Sequence, residues 1–214
     1  MVRVAEASTE QLRCGATELG VTLSACQVES LVAYAALLRR WNDKFNLVSR
    51  RDMPRLVSRH LLDSLSISPW LGAGPTLDFG SGAGLPGIPL AIAYPDHRFV
   101  LADRSARKAR FLEQAAMQLE LTNVTVRSGD ATALEQPFAS VVARGVAEPA
   151  ELWRLVGRLV APGGRLICMS RTAGDREGGT RVVNVPDAGS VRAEQVAVPG
   201  SAAPHEVILI EVAA

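Results

Sequence analysis

Residues 76–90 read TLDFGSGAGLPGIPL, a short apolar run that ends in Asp78 and leads into a cluster of glycines. Gly80, Gly82 and Gly84 stand at alternate positions, and Gly87 opens a predicted helix. Because glycine has no side chain, a ligand can lie directly against the backbone of a strand-to-helix turn built in this way. The stretch therefore predicts a cofactor-binding loop between a strand and a helix.

Two cofactor-binding patterns overlap in this loop. Gly82, Gly84 and Gly87 fit the G-x-G-x-x-G pattern of dinucleotide-binding proteins. Asp78 and the first three glycines fit D-x-G-x-G-x-G, which resembles the first motif of S-adenosylmethionine-dependent methyltransferases. The glycines alone leave both cofactors open.

Residues outside the loop favour the methyltransferase pattern. Asp103 ends the second predicted strand and would accept hydrogen bonds from the ribose of either cofactor. Pro86 and Pro89 remove N–H donors from the first helical turn, where a pyrophosphate would need them. The L-x-x-P-G-G-x-L pattern at 159–166 resembles the turn before a late strand of class I methyltransferases. Since no convincing dehydrogenase base accompanies the loop, we expect S-adenosylmethionine as the cofactor.

The chain divides into a helical part and an alternating part. Apolar residues at three- and four-residue steps across 31–45 predict an amphipathic helix, and 54–68 predicts a second one. The Pro- and Gly-rich segment 69–75 marks a boundary between an N-terminal helical extension, 1–72, and a cofactor-binding domain, 73–214.

Strands and helices alternate in the second part. Their order predicts an α/β fold with a class I methyltransferase-like, doubly wound and mainly parallel sheet. The Gly- and Thr-rich segment 172–190 is predicted to be a mobile loop or a weak hairpin. The predicted strands are 77–79, 99–103, 124–126, 140–143, 165–169 and 207–212, and the predicted helices are 108–121 and 149–160.

The composition indicates a cytoplasmic globular protein. Of the 214 residues, 48% are hydrophobic and 21% are charged, which is ordinary for a soluble domain. The N-terminus lacks a signal-peptide pattern, and no apolar run approaches the roughly 18 residues of a membrane span. Three widely spaced cysteines indicate reduced thiols, and the histidines lack metal-ligand spacing. We therefore expect neither a membrane nor a metal partner, and a monomer because nothing in the sequence demands a dimer.

The net charge of +1 hides a local bias toward basic residues. Two basic clusters flank the glycine loop, and each on its own could be a solvated helix surface. Together they favour a phosphate-rich partner. The first basic cluster comprises Arg39, Arg40, Lys44, Arg50, Arg51, Arg55 and Arg59, and the second comprises Arg104, Arg107, Lys108 and Arg110.

Four segments in order define a narrower resemblance: RWNDKFNLVS at 40–49, RHLLDS at 59–64, GSGAGLPGIPL at 80–90 and VVARGVA at 141–147. Together they resemble the family of bacterial 16S ribosomal RNA guanine-N7 methyltransferases, also called glucose-inhibited division protein B. The resemblance implies methyl transfer from S-adenosylmethionine to N7 of a guanine in 16S rRNA, with the 30S subunit as a possible form of the substrate.

The resemblance also implies the site residues. Arg144 would be catalytic, facing the transferred methyl group or the RNA. The cofactor would be bound by Gly80, Gly82, Leu85, Asp103, Ala131, Thr132 and Arg144. The substrate would be bound by Asn42, Asn46, His60 and Arg171, with Asp63 bordering the same cleft. Arg171 follows Ser170, at a place where the family often has a lysine.

Other roles for these residues stay open. Arg144 could be a structural cation, and His60 and Asp63, three residues apart, could pair with each other. Asn42 and Asn46, predicted to share a helical face, could serve packing or capping instead of RNA contact. The chain could also methylate a small molecule or a protein, or be an RNA-binding or redox module that retains the fold without catalysis.

Overall fold

A computed structural model describes residues 2–169, 185 and 188–213 of the chain. Within them, seven strands form one sheet in the order β3-β2-β1-β4-β5-β7-β6. The pairs from β3 to β5 are parallel, while β7 runs antiparallel to both β5 and β6. The strands are β1 (Thr76–Phe79), β2 (Phe99–Asp103), β3 (Val124–Ser128), β4 (Phe138–Arg144), β5 (Val160–Met169), β6 (Ser190–Val196) and β7 (His205–Glu211). The prediction of a mainly parallel α/β sheet is confirmed.

Helices cover both faces of this sheet. Two N-terminal helices, α1 and α2, precede it, and three more follow β1, β2 and β4. Ser24 and Gln27 close a capping box at the start of α2, which fixes where that helix begins. The helices are α1 (Val2–Glu18), α2 (Ala25–Asn42), α4 (Gly87–Ala93), α5 (Ala106–Gln118) and α6 (Pro149–Val156), with the short α3 described below.

The N-terminal helices share one hydrophobic core with the sheet. Leu31 and Leu38 of α2 are fully buried in the same cluster as Ile88 of α4 and Phe111 of α5. The Trp41 ring meets Phe111 edge-on, with ring centroids 5.4 Å apart. Burial of this kind provides most of the free energy that orders the helical extension.

The helix predicted over 54–68 is wrong as a single α-helix. The segment is instead a 3-10 turn (Met53–Arg55), a π-helical stretch (Val57–Leu62), the single α turn α3 (Asp63–Leu65) and another 3-10 turn (Ser68–Trp70). The wider π turn is rare and often marks a functional site. It carries His60 and leads directly into Asp63, and both side chains are buried.

The C-terminal part of the sheet also differs from the expectation. β5 begins at Val160 and includes the Pro-Gly-Gly turn, five residues earlier than predicted. β6 was not predicted, because SVRAEQV has no continuous apolar run and lies at the sheet edge with little burial. The loop or hairpin predicted over 172–190 lies almost entirely outside the described residues. No described helix is long and apolar enough to cross a membrane.

Candidate active site

A cleft of about 1030 Å³ opens where the carboxyl ends of β1, β2 and β4 meet. Parallel α/β sheets bind their ligands at this edge, where the strand order reverses on either side of the first strand. The cleft brings together eight of the residues predicted to be catalytic or to bind the cofactor or the substrate. They are His60, Gly80, Gly82, Leu85, Asp103, Ala131, Thr132 and Arg144.

The glycine loop forms the floor of the cleft. Gly80, Gly82 and Gly84 have φ values of 70°, 61° and 84°, which other residues rarely adopt. A Cβ built on Gly82 would meet no protein atom closer than the Gly80 carbonyl oxygen at 3.7 Å. The backbone at Gly82 is therefore open toward the cleft, and a side chain there would occupy the space of a ligand.

Asp78 holds this loop from below. Its carboxylate is fully buried and accepts hydrogen bonds from the Ser81 hydroxyl at 2.6 Å and from the Gly87 N–H at 2.9 Å. Burial raises the pKa of Asp78 to about 6, although the two hydrogen bonds act in the opposite direction. The same close packing explains Gly87, since a Cβ there would lie 2.6 Å from Asp78 Oδ2.

Asp103 links the glycine loop to the second strand. Its Oδ2 accepts from the Gly82 N–H at 2.9 Å, and its Oδ1 accepts from the Ser105 N–H at 2.8 Å. Lys108 Nζ lies 3.7 Å from the same Oδ2. A carboxylate has about four acceptor positions, so lone pairs remain for two hydroxyl groups of a ribose.

Ala131 and Thr132 lie on the cleft wall in a 3-10 turn capped by Asp130. Asp130 Oδ1 accepts from the Thr132 N–H at 2.9 Å and from its hydroxyl at 2.7 Å, and these bonds lower the pKa of Asp130. The capping keeps the turn in place beside β3.

Arg144 ends β4 and is bound on two sides. Its Nη1 donates to Asp63 Oδ2 at 3.0 Å, and its Nη2 lies 2.7 Å from His60 Nδ1. The other carboxylate oxygen of Asp63 bonds to His205 Nδ1, at the start of β7. His205 Nε2 in turn lies 3.2 Å from the Ser201 hydroxyl. A network from four parts of the chain therefore surrounds one guanidinium.

The charge state of His60 follows from this geometry. Burial, followed by the positive charge of Arg144, lowers the pKa of His60 to about 4, so the ring is neutral at pH 7. A guanidinium only donates, so Nδ1 accepts and the proton is on Nε2. Nε2 is buried without a hydrogen-bond partner among the described residues. His60 and Asp63 thus both bind Arg144, and the pairing with each other considered above is wrong.

Two predicted substrate residues lie elsewhere. Asn42 is buried, and its Oδ1 accepts from the Leu47 and Val48 N–H groups at 2.8 and 3.0 Å, so it caps the loop that follows α2. Because α2 ends at Asn42, Asn46 does not share its helical face and is exposed in that loop. Neither asparagine lines the cleft. Arg171 lies outside the described residues.

Two residues of the site were missed from sequence. Tyr34, identified only as part of an apolar face, is fully buried and donates from its hydroxyl to the Ala83 carbonyl at 2.5 Å. This bond ties α2 to the glycine loop. His205 was set aside because no metal-ligand spacing surrounds it, and a partner 142 residues away leaves no local signal. Among the described residues, no group of His, Cys, Asp and Glu could hold a metal ion.

The sequence is similar to known proteins of one description. Residues 27–180 match the family GidB, described as rRNA small subunit methyltransferase G. The chain is 38% identical to the ribosomal RNA small subunit methyltransferase G of Marinobacter nauticus, over 94% of this chain and 93% of that one. It is 37% identical to the protein of the same description from Pseudomonas aeruginosa strain LESB58, over 98% of each chain.

Solved structures show the same fold at low identity. An S-adenosylmethionine-dependent methyltransferase from Aquifex aeolicus has a TM-score of 0.56 at 16% identity, over 83% of this chain and 98% of that one. A methyltransferase from Geobacter sulfurreducens has a TM-score of 0.55 at 17% identity, over 94% and 97%. The predicted class I methyltransferase fold is confirmed.

Proposed function

This chain belongs to the GidB family, rRNA small subunit methyltransferase G, and we propose on that premise that it transfers a methyl group from S-adenosylmethionine to N7 of one guanine in 16S rRNA. The observation that carries the proposal is a single cleft. It contains an open glycine loop, the buried Asp103 carboxylate with acceptor positions for a ribose, and Arg144 held by Asp63. Cations from both basic clusters line the same cleft.

The residues of the cleft fit S-adenosylmethionine. The bare backbone at Gly82 leaves room for a ligand in van der Waals contact, with Gly80 and Leu85 beside it. Asp103 would accept hydrogen bonds from the ribose, and Ala131 with Thr132, on the cleft wall, would border the adenine. When bound, the cofactor supplies an electrophilic methyl group on a sulfonium centre.

The chain's task in the reaction is orientation. Guanine N7 has an in-plane lone pair and carries no proton at neutral pH, so no general base is required. Aligning two reactants can provide roughly 7–11 kcal/mol of a barrier. Arg144, fixed by Asp63 and His60, retains N–H groups that can donate to guanine O6 or to a phosphate. A bidentate contact to O6 and N7 would block the atom that is methylated.

We place the reaction in the cytoplasm, on 16S rRNA alone or within the 30S subunit, with the enzyme acting as a monomer. The helical segment 1–72 contributes His60 and the first basic cluster to the RNA-facing side of the cleft. Asn42 acts by shaping the loop next to it. Asn46, exposed in that loop, and Arg171 are assigned to the RNA on the family pattern alone.

Transfer of labelled methyl from S-adenosylmethionine tests the proposal. The substrates are 30S subunits and rRNA from cells that lack this protein, and mass mapping locates the modified base. One 7-methylguanine in 16S rRNA is the expected product. Cofactor binding without any transfer to RNA would overturn the ribosomal assignment and leave a methyltransferase of another substrate.

A further inference from the structure

The two basic clusters meet in the folded protein. The Arg107 guanidinium of the second cluster lies over the Phe45 ring, with Cζ 5.4 Å from the centroid, and Phe45 directly follows Lys44 of the first cluster. Arg59 of the first cluster and Arg104 of the second both line the active-site cleft. Residues distant in sequence therefore form one basic surface, the basic rim, which reaches the cleft through Arg104. It comprises Lys44, Phe45, Arg104, Arg107 and Arg110.

Among the described residues, no acidic side chain neutralises the charges of the basic rim. Lys108 pairs with Asp103, and Arg55 and Arg59 share Asp52. The four cations of the basic rim, by contrast, have no ion pair within the described part of the chain and are exposed. Three of them surround the first turn of α5, which has no acidic residue. Cations at that end oppose the helix dipole, so they reduce rather than increase stability.

Phe45 gives this surface a second property. Its ring is half-buried and is held by Trp41, whose centroid lies 5.4 Å away, so the ring supports Arg107 from below. Arg107 is exposed apart from this contact, so its guanidinium is accessible to a base, and stacking on arginine planes is a common way to hold unpaired bases. Positive charge combined with a stacking plane is typical of single-strand binding sites.

We propose that the basic rim binds an unpaired RNA segment that flanks the target guanine. Lys44, Arg104 and Arg110 contact its phosphates, and one base stacks on Arg107. The inference rests on the proposed function and deepens it. An unpaired segment is favoured because N7 of a paired guanine faces the deep, narrow major groove of A-form RNA, which protein side chains do not enter.

Equilibrium binding of unmodified 16S rRNA, measured over a range of salt concentrations, separates charge from stacking. Arg107→Lys keeps the charge but loses the plane, so the Kd should rise about 5- to 100-fold with the salt dependence unchanged. Arg110→Gln should weaken the slope of log K against log salt by about 0.7. Arg192→Lys, on the opposite edge of the sheet, is the matched control and should change neither quantity.

A second variant and a second substrate complete the test. Phe45→Leu should weaken binding as Arg107→Lys does, and the double variant should be no worse than either single one. An unchanged Kd and an unchanged salt slope in the rim variants would overturn the inference. The proposed function would still stand in that case if the unaltered enzyme methylates RNA. If the rim variants bind naked RNA normally but lose activity on 30S subunits, the basic rim contacts a ribosomal protein instead of RNA. That result would also overturn the inference. Failure of the unaltered protein to bind or methylate RNA would refute both.

Discussion

Replacing Asp63 by alanine removes the carboxylate that Arg144 and His205 share. The Arg144–Asp63 ion pair is 3.0 Å long, and its side chains are 14% and 7% exposed. Removing one partner of a buried pair typically costs 3–5 kcal/mol, because the other charge stays buried without compensation. Arg144 lines the cleft and keeps some access to water, so we expect about 3 kcal/mol of lost stability. With a slope of about 3 kcal/mol per molar urea, the unfolding midpoint should fall by about 1 M.

The same substitution should affect catalysis separately from cofactor binding. An arginine no longer fixed by Asp63 can move by an ångström, and a displacement of that size can lower kcat about 100-fold. The affinity for S-adenosylmethionine should stay within a few-fold, because Asp63 makes no described hydrogen bond to the glycine loop. Methyl transfer to rRNA measures the first effect, and calorimetric titration measures the second.

A double-mutant cycle decides whether the network acts as a unit. Arg144→Met added to Asp63→Ala removes the unpaired charge and should restore at least half of the lost stability. The double variant should also be no less active than Arg144→Met alone. Ser64→Ala is the control, since it deletes a buried hydroxyl of the same segment whose one hydrogen bond among the described residues is to the His60 carbonyl. Additive stability losses in the double variant would show that Asp63 and Arg144 do not act as a unit. A cofactor Kd that rises in step with the fall in kcat would show that the network serves cofactor binding instead of orientation.

Three further predictions concern the loop and the buried ionisable groups. Gly82→Val should abolish S-adenosylmethionine binding in a folded protein, whereas Gly20→Val, with equal backbone strain at φ 75° and open space around it, should leave binding intact in calorimetry. Tyr34→Phe leaves a loop carbonyl unpaired and should cost about 1–3 kcal/mol in urea unfolding, with a several-fold weaker cofactor Kd. Because burial raises the pKa of Asp78 from 3.8 to about 6, its contribution to stability is complete below pH 3.8 and falls by about 3 kcal/mol as the pH rises to 6. The pKa of His60, lowered from 6.5 to about 4, has the opposite effect, so its stabilisation is lost as the pH falls from 6.5 to 4. Asp78→Asn removes the contribution that falls with rising pH and leaves that of His60, so its stability in urea unfolding should rise as the pH increases from about 4 to 6.5. His60→Gln leaves the contribution of Asp78, so its stability should fall as the pH increases through about 6. An unchanged pH profile in both variants would contradict this assignment.

The glycine loop and Asp103 could be predicted because their signals are local. Glycines at alternate positions after a strand and an acidic residue at the end of the next strand lie within about 30 residues of each other. This pattern predicts a nucleoside-binding site throughout the α/β folds. The Arg144 network had no such signal. Asp63 is 81 residues from Arg144 and 142 from His205, and the three meet only in the folded chain, where β4 and β7 belong to one sheet. The π turn before Asp63 likewise escapes a pattern search, because its apolar residues still fit an α-helical stripe.

The network also explains why an arginine can stand beside a base that becomes positively charged. On the proposed reaction, positive charge moves from the sulfonium centre onto the guanine. A unit charge about 5 Å from another costs about 3 kcal/mol at an effective dielectric constant of about 20. Asp63 offsets most of this repulsion from Arg144, and His60 adds none because burial keeps it neutral. The guanidinium can then hold the base by hydrogen bonds without opposing the charge that develops on it, which links the buried acid of the π-helical segment to the chemistry of the cleft.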